Sequence, residues 1–232
     1  MDLRHRDVDL RELMDDPGCD PVALAQTLRR FDVVNRAVSG WGTVWRRHLR
    51  PALARLDRPS RVLDIGSGGG DVTARLARLA ERDGLDVSWV GIDPDPRALA
   101  VARERGRPDL EFRSTDSSTL RASGERFDAV ISNHVLHHLG ESELDAFVGD
   151  SLALSRGIVL HADIERGRAA YALYAAGITP LQRGTFLRTD GLRSIRRSYR
   201  APELRMTLAD RGEWHVVRPA PFRVLAVGAG HA

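Results

Sequence analysis

The fold is decided by residues 62–71, which read Val-Leu-Asp-Ile-Gly-Ser-Gly-Gly-Gly-Asp. The apolar start of this stretch predicts a buried β-strand, and the residues after Gly70 have the apolar spacing of an amphipathic helix. Four glycines in five positions let the backbone turn sharply and approach a ligand without an intervening side chain. We therefore interpret residues 66–70, called the glycine loop below, as a ligand-binding turn between a strand and a helix.

The acidic residues beside the glycine loop indicate which ligand it takes. A nicotinamide dinucleotide site has the pattern G-x-G-x-x-G, but the place of the third glycine is taken here by Asp71. A mononucleotide P-loop needs a lysine, and all 35 basic residues of the chain are arginines. Asp64 and Asp71 instead suit a ligand with a cationic end and no phosphate, which favours S-adenosylmethionine over NAD.

Polar residues also follow the next two predicted strands. Asp93 lies 23 positions after Gly70, where a carboxylate can accept hydrogen bonds from both hydroxyls of a ribose. Asp116 and Ser117 follow the third strand and can bind an adenine amine. Each of these aspartates alone is typical of a helix cap or a turn, but together they indicate a nucleoside site.

Short apolar runs alternate with amphipathic segments through most of the chain, which predicts an α/β fold. Strands joined by helices imply right-handed crossovers and a mostly parallel sheet. A short connection between the last two apolar runs implies an antiparallel hairpin at one end of that sheet. The predicted strands are residues 61–65, 87–92, 110–113, 127–132, 157–161, 214–218 and 222–227.

The chain divides into three parts on this pattern. Residues 1–58 are predicted to form a helical cap, in which Asp20 caps a helix that begins at Pro21. Residues 59–232 form the ligand-binding domain. Within it, residues 164–200 are too long for an ordinary connection, and we expect them to cover the substrate.

Composition excludes several classes of protein. The chain has 232 residues, a net charge of +3 and a single cysteine, Cys19, so an intramolecular disulfide cannot form. No apolar run reaches the roughly 20 residues of a membrane span, and the charged N-terminus is unlike a secretory signal. We expect a cytoplasmic monomer or homodimer that takes a small-molecule substrate and has no nucleic-acid or membrane partner.

Four motifs resemble, in order, those of the class I S-adenosylmethionine-dependent methyltransferases, over about residues 60–160. They are VLDIGSGGGD at 62–71, VGIDPDP at 90–96, STDSS at 114–118 and FDAVISNHVLHHL at 127–139. The resemblance implies a Rossmann-like, doubly wound sheet of seven strands with the last antiparallel. It also implies a cofactor site in which residues 64–70 line the methionine portion, Asp93 the ribose, Pro94 and Asp116 the adenine, and residues 133–135 the flank. The cofactor-binding residues predicted in this way are Asp64, Gly66, Ser67, Gly68, Gly70, Asp93, Pro94, Asp116, Ser117, Asn133 and His134.

Two further stretches resemble subgroups of that family. Residues 186–204 and the N-terminal segment are similar to methyltransferases found beside type III polyketide synthases, and residues 133–139 are similar to those of quinone biosynthesis. The resemblance implies a phenolic, quinonoid or polyketide-type acceptor and a place in secondary metabolism.

The acceptor's proton could be taken by histidines at the ends of two strands. His134, His137 and His138 follow the fourth strand, and His161 follows the fifth, where Asp163 can form a couple with it. A metal site is disfavoured because no carboxylate lies at a characteristic spacing from the three histidines. A third possibility is that no base acts, because an acidic phenol can bind already ionised.

Acceptor-binding residues are expected in the insertion. Its arginines form either a solvated face or, for one or two of them, a site for a phenolate. Aromatic residues could wall a planar substrate; they are Trp41, Trp45, Tyr171, Tyr174 and Phe186. We predict Tyr171, Arg196 and Tyr199 as substrate-binding residues. The other arginines crowded in the same stretch are Arg188, Arg193, Arg197 and Arg200.

These observations predict methyl transfer to an oxygen of a small acceptor. Methylation of a quinol carbon is an alternative, because the subgroup resemblance alone favours oxygen. A nucleic-acid methyltransferase is a second alternative, although the fourth strand ends in Ser-Asn-His-Val rather than in the Pro-Pro-aromatic signature of enzymes that act on base amines. A protein that binds the cofactor without catalysis is the third.

Overall fold

A computed structural model describes residues 2–230 and contains a sheet of seven strands in the order β3-β2-β1-β4-β5-β7-β6. Strands β1 to β5 are parallel, and β7 lies between β5 and β6, antiparallel to both. This arrangement confirms the predicted Rossmann-like sheet with its antiparallel last strand. The strands are β1 Ser60–Ile65, β2 Val87–Asp93, β3 Leu110–Ser114, β4 Phe127–Asn133, β5 Ser155–Ile164, β6 Trp214–Val217 and β7 Arg223–Ala229.

Helices cover both faces of the sheet. A π-helical turn at Trp45–Leu49 joins the second and third helices, and short 3₁₀ turns occur at Arg103–Arg105, Leu136–His138 and Thr179–Leu181. Among residues 2–230, no helix combines the length and the apolar character that crossing a bilayer requires. The helices are α1 Pro21–Val38, α2 Trp41–Val44, α3 Arg50–Leu53, α4 Asp71–Arg82, α5 Pro96–Ala102, α6 Ser117–Ala122, α7 Glu141–Leu154, α8 Arg168–Gly177, α9 Leu187–Arg197 and α10 Ala201–Leu208.

The core has one apolar layer on each face of the sheet. Val62 and Leu63 show why, because successive residues of β1 point to opposite faces and both are fully buried. Leu63 belongs to a cluster with α7 and α10, and Val62 to one with α4 and the segment around Trp41 and Trp45. The helices at residues 41–53 are therefore packed into the core. Whether residues 1–58 form a unit of their own stays a prediction.

The N-terminal part is helical only from Pro21. The carboxylate of Asp20 accepts hydrogen bonds from the main-chain nitrogens of Val22 and Ala23, which confirms the predicted helix start. Residues 2–19 contain no helix or strand, so the prediction that the first 58 residues are helical is wrong for them. Instead they form an irregular segment of turns and bends, which we call the strap.

Arginines of the insertion hold the strap in place. Arg196 pairs with Asp7 at 2.5 Å, Arg193 donates to the carbonyl of Arg11, and Arg200 donates to the carbonyl of Leu3. These arginines therefore form neither a free solvated face nor a ready phenolate site. The strap explains why so many arginines are concentrated in one short helix and its exit.

Two glycines, one inside α7 and one near the start of β5, give a test of the packing around β4 and β5. Gly149 lies inside α7 with open space where a Cβ would stand, whereas a Cβ on Gly157 would lie 2.5 Å from the main-chain oxygen of Asp128. We expect Gly149→Ala to raise the free energy of unfolding by about 0.5–1 kcal/mol, since alanine favours the helix. Gly157→Ala should lower it by roughly 1–3 kcal/mol through overpacking against β4. Urea unfolding of the two variants measures both, and equal shifts of one sign would contradict the β4–β5 register.

Candidate active site

The glycine loop turns back over the carboxyl ends of β1 and β2. The main-chain nitrogens of Gly66 and Ser67 both donate to the carbonyl of Ile92. Gly66 has a φ of 71°, and a Cβ at this position would lie 2.6 Å from Cγ2 of Val135, so a side chain is excluded there. Gly66, Ser67 and Gly68 line a cavity of about 1330 Å³. Gly70 does not line it and serves the turn into α4, packed against Phe112.

Three carboxylates line the cavity around the loop, those of Asp64, Asp71 and Asp93. Burial raises the pKa of Asp64 to about 7, against the opposing hydrogen bond from the Thr73 hydroxyl and with a further rise from Asp71 and Asp93. Burial also raises the pKa of Asp71 and of Asp93. Ionising these three buried carboxylates close together therefore costs free energy. A cationic ligand bound beside them would offset that cost.

The contacts of these carboxylates leave part of their hydrogen-bonding capacity free. Oδ2 of Asp64 accepts from the Thr73 hydroxyl at 2.6 Å, but Oδ1 has no partner in the described part of the chain although it is buried. Asp93 accepts from the main-chain nitrogens of Gly68 and Asp95, both at 2.9 Å. An unpartnered carboxylate oxygen beside a bare backbone turn fits the ammonium end of S-adenosylmethionine.

The structure gives Asp116 and Ser117 contacts outside the cavity. Oδ1 of Asp116 caps α6, accepting from the nitrogen of Thr119 at 2.8 Å, and the Ser117 hydroxyl donates to Asp150 at 2.9 Å. Neither residue lines the cavity, so their contact with an adenine stays a prediction. Pro94, by contrast, lines the cavity.

Residues 133–135 line the opposite flank of the loop. The Asn133 side-chain oxygen accepts from the indole nitrogen of Trp41 at 2.9 Å, which fixes its orientation. His134 has a φ of 62°, a strained conformation for a residue other than glycine, and its Nε2 lies 2.6 Å from Nη1 of Arg223. Burial and the charge of Arg223 lower the pKa of His134 well below its usual value, so its imidazole is neutral and accepts from the arginine.

His137 is held between two carboxylates. Its Nδ1 lies 2.7 Å from Asp163 and its Nε2 lies 3.3 Å from Glu12 of the strap. Burial alone would lower the pKa of His137, but the charges and hydrogen bonds of Asp163 and Glu12 raise it to about 9. The pKa of Asp163 is lowered in turn by the charge and hydrogen bond of His137, against its burial. His137 is therefore an imidazolium at neutral pH and not the free base that the sequence suggested.

Glu12 is the residue that sequence reasoning missed. It comes from the strap, is 5% exposed, and also accepts from the hydroxyl of Ser194 at 2.6 Å. Ligand-type atoms of Glu12, His137 and His138 lie within 4.8 Å of one another, so a carboxylate does reach these histidines although none stands at a characteristic spacing from them in the sequence. The prediction that no metal binds rested on that spacing. Both ring nitrogens of His137 are within hydrogen-bond distance of carboxylates in this arrangement.

His138 and His161 differ sharply in access to the cavity. His138 lines it, is 29% exposed, and has its Nδ1 3.2 Å from Asp15 of the strap. His161 lies outside the lining, bonds the hydroxyl of Ser132 at 2.8 Å, and packs on Phe147 and Trp214. Burial lowers the pKa of His161 to about 3. The predicted base role of His161 and its couple with Asp163 are therefore wrong, because Asp163 pairs with His137.

The three predicted substrate-binding residues lie outside the cavity lining. Arg196 is committed to Asp7, and Tyr199 is buried in the core with the guanidinium of Arg6 3.6 Å from its ring centre. Tyr171 lies one helical turn from Tyr174, which is the tyrosine of α8 that reaches the cavity. Placement on an insertion did not identify which side chains turn inward, so these assignments are wrong.

Only part of the predicted aromatic wall is present. Trp41, Trp45 and Phe186 pack into apolar clusters instead of lining the cavity. The aromatic residues that do line it are Phe31, Tyr174 and Phe222. Phe31 is one of the apolar residues that recur along α1, so its helical spacing was the available signal. Nothing local in the sequence indicated Phe222.

The mouth of the cavity is apolar. Nine large apolar side chains are exposed in the described part of the chain, and five of them line this cavity. A concentration of exposed apolar surface at one opening is typical of a ligand-binding site. These five residues are Val8, Val33, Val38, Leu173 and Phe222.

Comparison with known proteins agrees with this geometry. Residues 62–155 match the family model described as a methyltransferase domain. The chain is 33% identical over 120 residues to the ubiquinone biosynthesis O-methyltransferase of Cereibacter sphaeroides (strain ATCC 17025 / ATH 2.4.3), covering 50% of this chain and 46% of that protein. It is 34% identical over 122 residues to the protein of the same name from Methylobacterium sp. (strain 4-46), covering 50% and 45%. The chain spans about half the length of these relatives.

Solved methyltransferase structures share the whole fold. The CurJ carbon methyltransferase superposes with a TM-score of 0.65 at 19% identity, over 92% of this chain and 61% of that chain. The plantazolicin methyltransferase BpumL in complex with SAH gives a TM-score of 0.60 at 13% identity, over 91% and 95%. At such identities the likeness shows the fold alone.

The assignment of Asp93 to the ribose predicts a loss of cofactor affinity. Asp93→Asn keeps the size of the side chain but removes its charge, and should weaken S-adenosylmethionine binding by about 1.5–3 kcal/mol, the value of a charge-assisted hydrogen bond. Isothermal titration calorimetry measures the change. Asp145→Asn is the matched control, because that carboxylate is half exposed on α7 and lies outside the cavity. An equal loss in the two variants would contradict the assignment of Asp93.

The position of His137 predicts a pH-dependent stability. Its raised pKa means that its contribution is fully present below about pH 6.5, the usual histidine value, and is lost as the pH rises through about 9. Glu12→Gln should lower the pKa of His137 and shift this loss to lower pH. NMR titration of the histidine side chains, in the presence of a metal chelator, measures the pKa directly. Glu141→Gln is the control, since the Glu141 side chain is 90% exposed, and a His137 pKa unmoved by Glu12→Gln would refute the ion pair.

Proposed function

We propose that this chain, which has the fold of the class I S-adenosylmethionine-dependent methyltransferases and contains their methyltransferase domain, methylates a small acceptor. S-adenosylmethionine is its cofactor. The acceptor we propose is a phenolic, quinonoid or polyketide-type molecule, and the methylated atom is an oxygen. The names of the relatives from Cereibacter and Methylobacterium support the choice of oxygen.

The observation that carries this proposal is one large cavity with two kinds of lining. Its volume of about 1330 Å³ exceeds the roughly 300–1,000 Å³ of a site for one small ligand, so cofactor and acceptor fit side by side. The glycine loop with Asp64, Asp71 and Asp93 forms one part of the lining, and apolar side chains such as Leu173 and Phe222 form another. A planar apolar acceptor suits the apolar part.

The chain's own residues would bind and orient both molecules. When bound, S-adenosylmethionine supplies a methyl group carried on a positively charged sulfur. Asp93 would accept hydrogen bonds from the ribose, and Oδ1 of Asp64 would accept one from the ammonium. The strap and α1 would exclude water, because Glu12, Met14 and Leu28 form part of the lining. Alignment and desolvation are the main demands of an in-line displacement at an activated carbon.

Of the four histidines predicted as bases, one is still a candidate for removing the acceptor's proton. His137 is already protonated, His161 is remote, and the acceptor nitrogen of His134 is occupied by Arg223. His138 stays a candidate base, because its ring is partly exposed and lines the cavity. We favour the alternative in which the acceptor oxygen binds already ionised and the protein positions it.

A panel of acceptors tests the proposal. We expect S-adenosylhomocysteine and a singly methylated product when the full chain is incubated with S-adenosylmethionine and catechols, phenols or quinols. Mass spectrometry detects the product, and its fragmentation distinguishes a methoxy group from a ring methyl group, which separates O- from C-methylation. Asp93→Asn serves as the cofactor-impaired control at the same cofactor concentration.

The same assay, run with other acceptor classes, distinguishes the proposed function from two other candidate functions. Turnover with tRNA or DNA but with none of the small acceptors would indicate a nucleic-acid methyltransferase. Cofactor binding by calorimetry without turnover of any acceptor class would indicate a binding protein and would contradict the proposed activity.

A further inference from the structure

Arg223 is a buried cation that lines the cavity and has no ion-pair partner among residues 2–230. It is 7% exposed and stands at the start of β7, opposite Ile164 at the end of β5. Its Nε donates to the carbonyl of Val38 at 2.7 Å, and its Nη1 donates to Nε2 of His134 at 2.6 Å. Within residues 2–230, Nη2 makes no hydrogen bond and no carboxylate lies within 4 Å of the guanidinium.

The nearest negative charge is committed elsewhere. Asp163 favours the charged form of Arg223 through its field, but its oxygens accept from the ring and main-chain nitrogens of His137 and from the nitrogen of Ile164. Burial lowers the pKa of Arg223 to about 10, so the guanidinium stays charged at neutral pH at a cost that the field of Asp163 and two hydrogen bonds offset only in part. A buried charge of this kind is normally paired.

Backbone strain is concentrated beside the same side chain. In the described chain, two residues other than glycine have a positive φ, His134 at 62° and Phe222 at 60°. His134 accepts from Arg223, and Phe222 precedes it in the sequence; both line the cavity. Such strain occurs mainly at functional sites. Two strained residues beside one arginine, one of them hydrogen-bonded to it, indicate a built site.

The surroundings of Arg223 define the ligand. Tyr174, Phe222 and Ile164 line the same part of the cavity and offer flat or apolar surface. The site lies at the carboxyl ends of β4 and β5, next to residues 133–135, which flank the predicted cofactor position. A guanidinium beside aromatic rings recognises an aromatic molecule that carries an oxyanion.

We propose that Arg223 binds an anionic oxygen of an aromatic acceptor, either a ring carboxylate or the phenolate itself. This inference rests on the proposed methyl transfer and names the class of acceptor that the cavity takes. His134 has a positioning role, since its neutral imidazole accepts from Nη1 and holds the guanidinium at the cavity wall. Phe222 and Tyr174 hold the aromatic ring.

Binding of matched probes tests the carboxylate form. The full chain is saturated with S-adenosylhomocysteine and titrated calorimetrically with 4-hydroxybenzoate or with its neutral counterpart 4-hydroxybenzamide. We expect the carboxylate to bind roughly ten- to a hundredfold more tightly, the range of a charge-assisted hydrogen bond. The comparison uses the unmodified protein and therefore does not depend on the folding of a variant.

A second probe tests the phenolate form. 4-Nitrophenol absorbs differently in its neutral and ionised states, so the pKa of the bound phenol is read from the spectrum. A guanidinium contact should lower that pKa by about one unit or more relative to the free phenol. A lowered pKa without a preference for 4-hydroxybenzoate assigns Arg223 to the phenolate, and the reverse result assigns it to a carboxylate.

Variants then locate the effect. Arg223→Gln should remove the preference for the anion, and Arg223→Lys should restore part of it by keeping the charge. Arg36→Gln removes the same charge from an exposed position on α1 outside the cavity, and should leave both readouts unchanged. The inference is overturned if neither anion is favoured over its neutral form, or if the preference survives Arg223→Gln. Failure of the proposed function would appear separately, as no methylated product from any acceptor.

Discussion

Asp93 accepts hydrogen bonds from the main-chain nitrogens of Gly68 and Asp95, and these bonds hold the glycine loop against the end of β2. Side chains at positions 66 and 68 would not allow this path, because both glycines have a positive φ and Val135 lies against Gly66. The same carboxylate therefore shapes the loop and faces the cavity. Its position at the carboxyl edge of a parallel sheet, where ligands collect in open α/β folds, links the local turn to the site.

The second organising feature is the strap, which is ordered by charge rather than by regular secondary structure. The main-chain nitrogens of Leu13 and Met14 donate to the carboxylate of Asp190 on α9, and Glu12 then reaches His137 and Ser194. The strap thus connects the insertion to the end of β4 across the cavity. Removing this segment would expose His137 to water and end its pairing with Glu12, so the charge state of the histidine depends on residues far away in sequence.

The sequence predicted what is local and missed what is distant. The strand, loop and helix at residues 60–82 could be predicted because apolar periodicity and glycine spacing are visible within a short stretch of sequence. Asp116 shows the limit, because a local pattern that suggests a nucleoside contact is also that of a helix cap, and the carboxylate does cap α6. Glu12 and His137 are 125 positions apart, and Arg223 and His134 are 89 apart. No periodicity reports such pairs, since they depend on where the crossovers and the antiparallel β7 bring the chain.

The charges along the cavity explain why such distant pairs matter. At the glycine loop, Asp64, Asp71 and Asp93 supply negative charge, and near β7 Arg223 supplies positive charge. On the proposed function, these charges complement a cationic cofactor and an anionic acceptor. Where the reacting atom is a phenolate oxygen, methyl transfer removes the charge of the sulfonium and of that oxygen, and a site shielded from water favours a reaction that loses charge over one that keeps it. The chain would then stabilise each ion with its own set of side chains, and positioning rather than proton removal is the main demand on it. The strap contributes by excluding water from both ions.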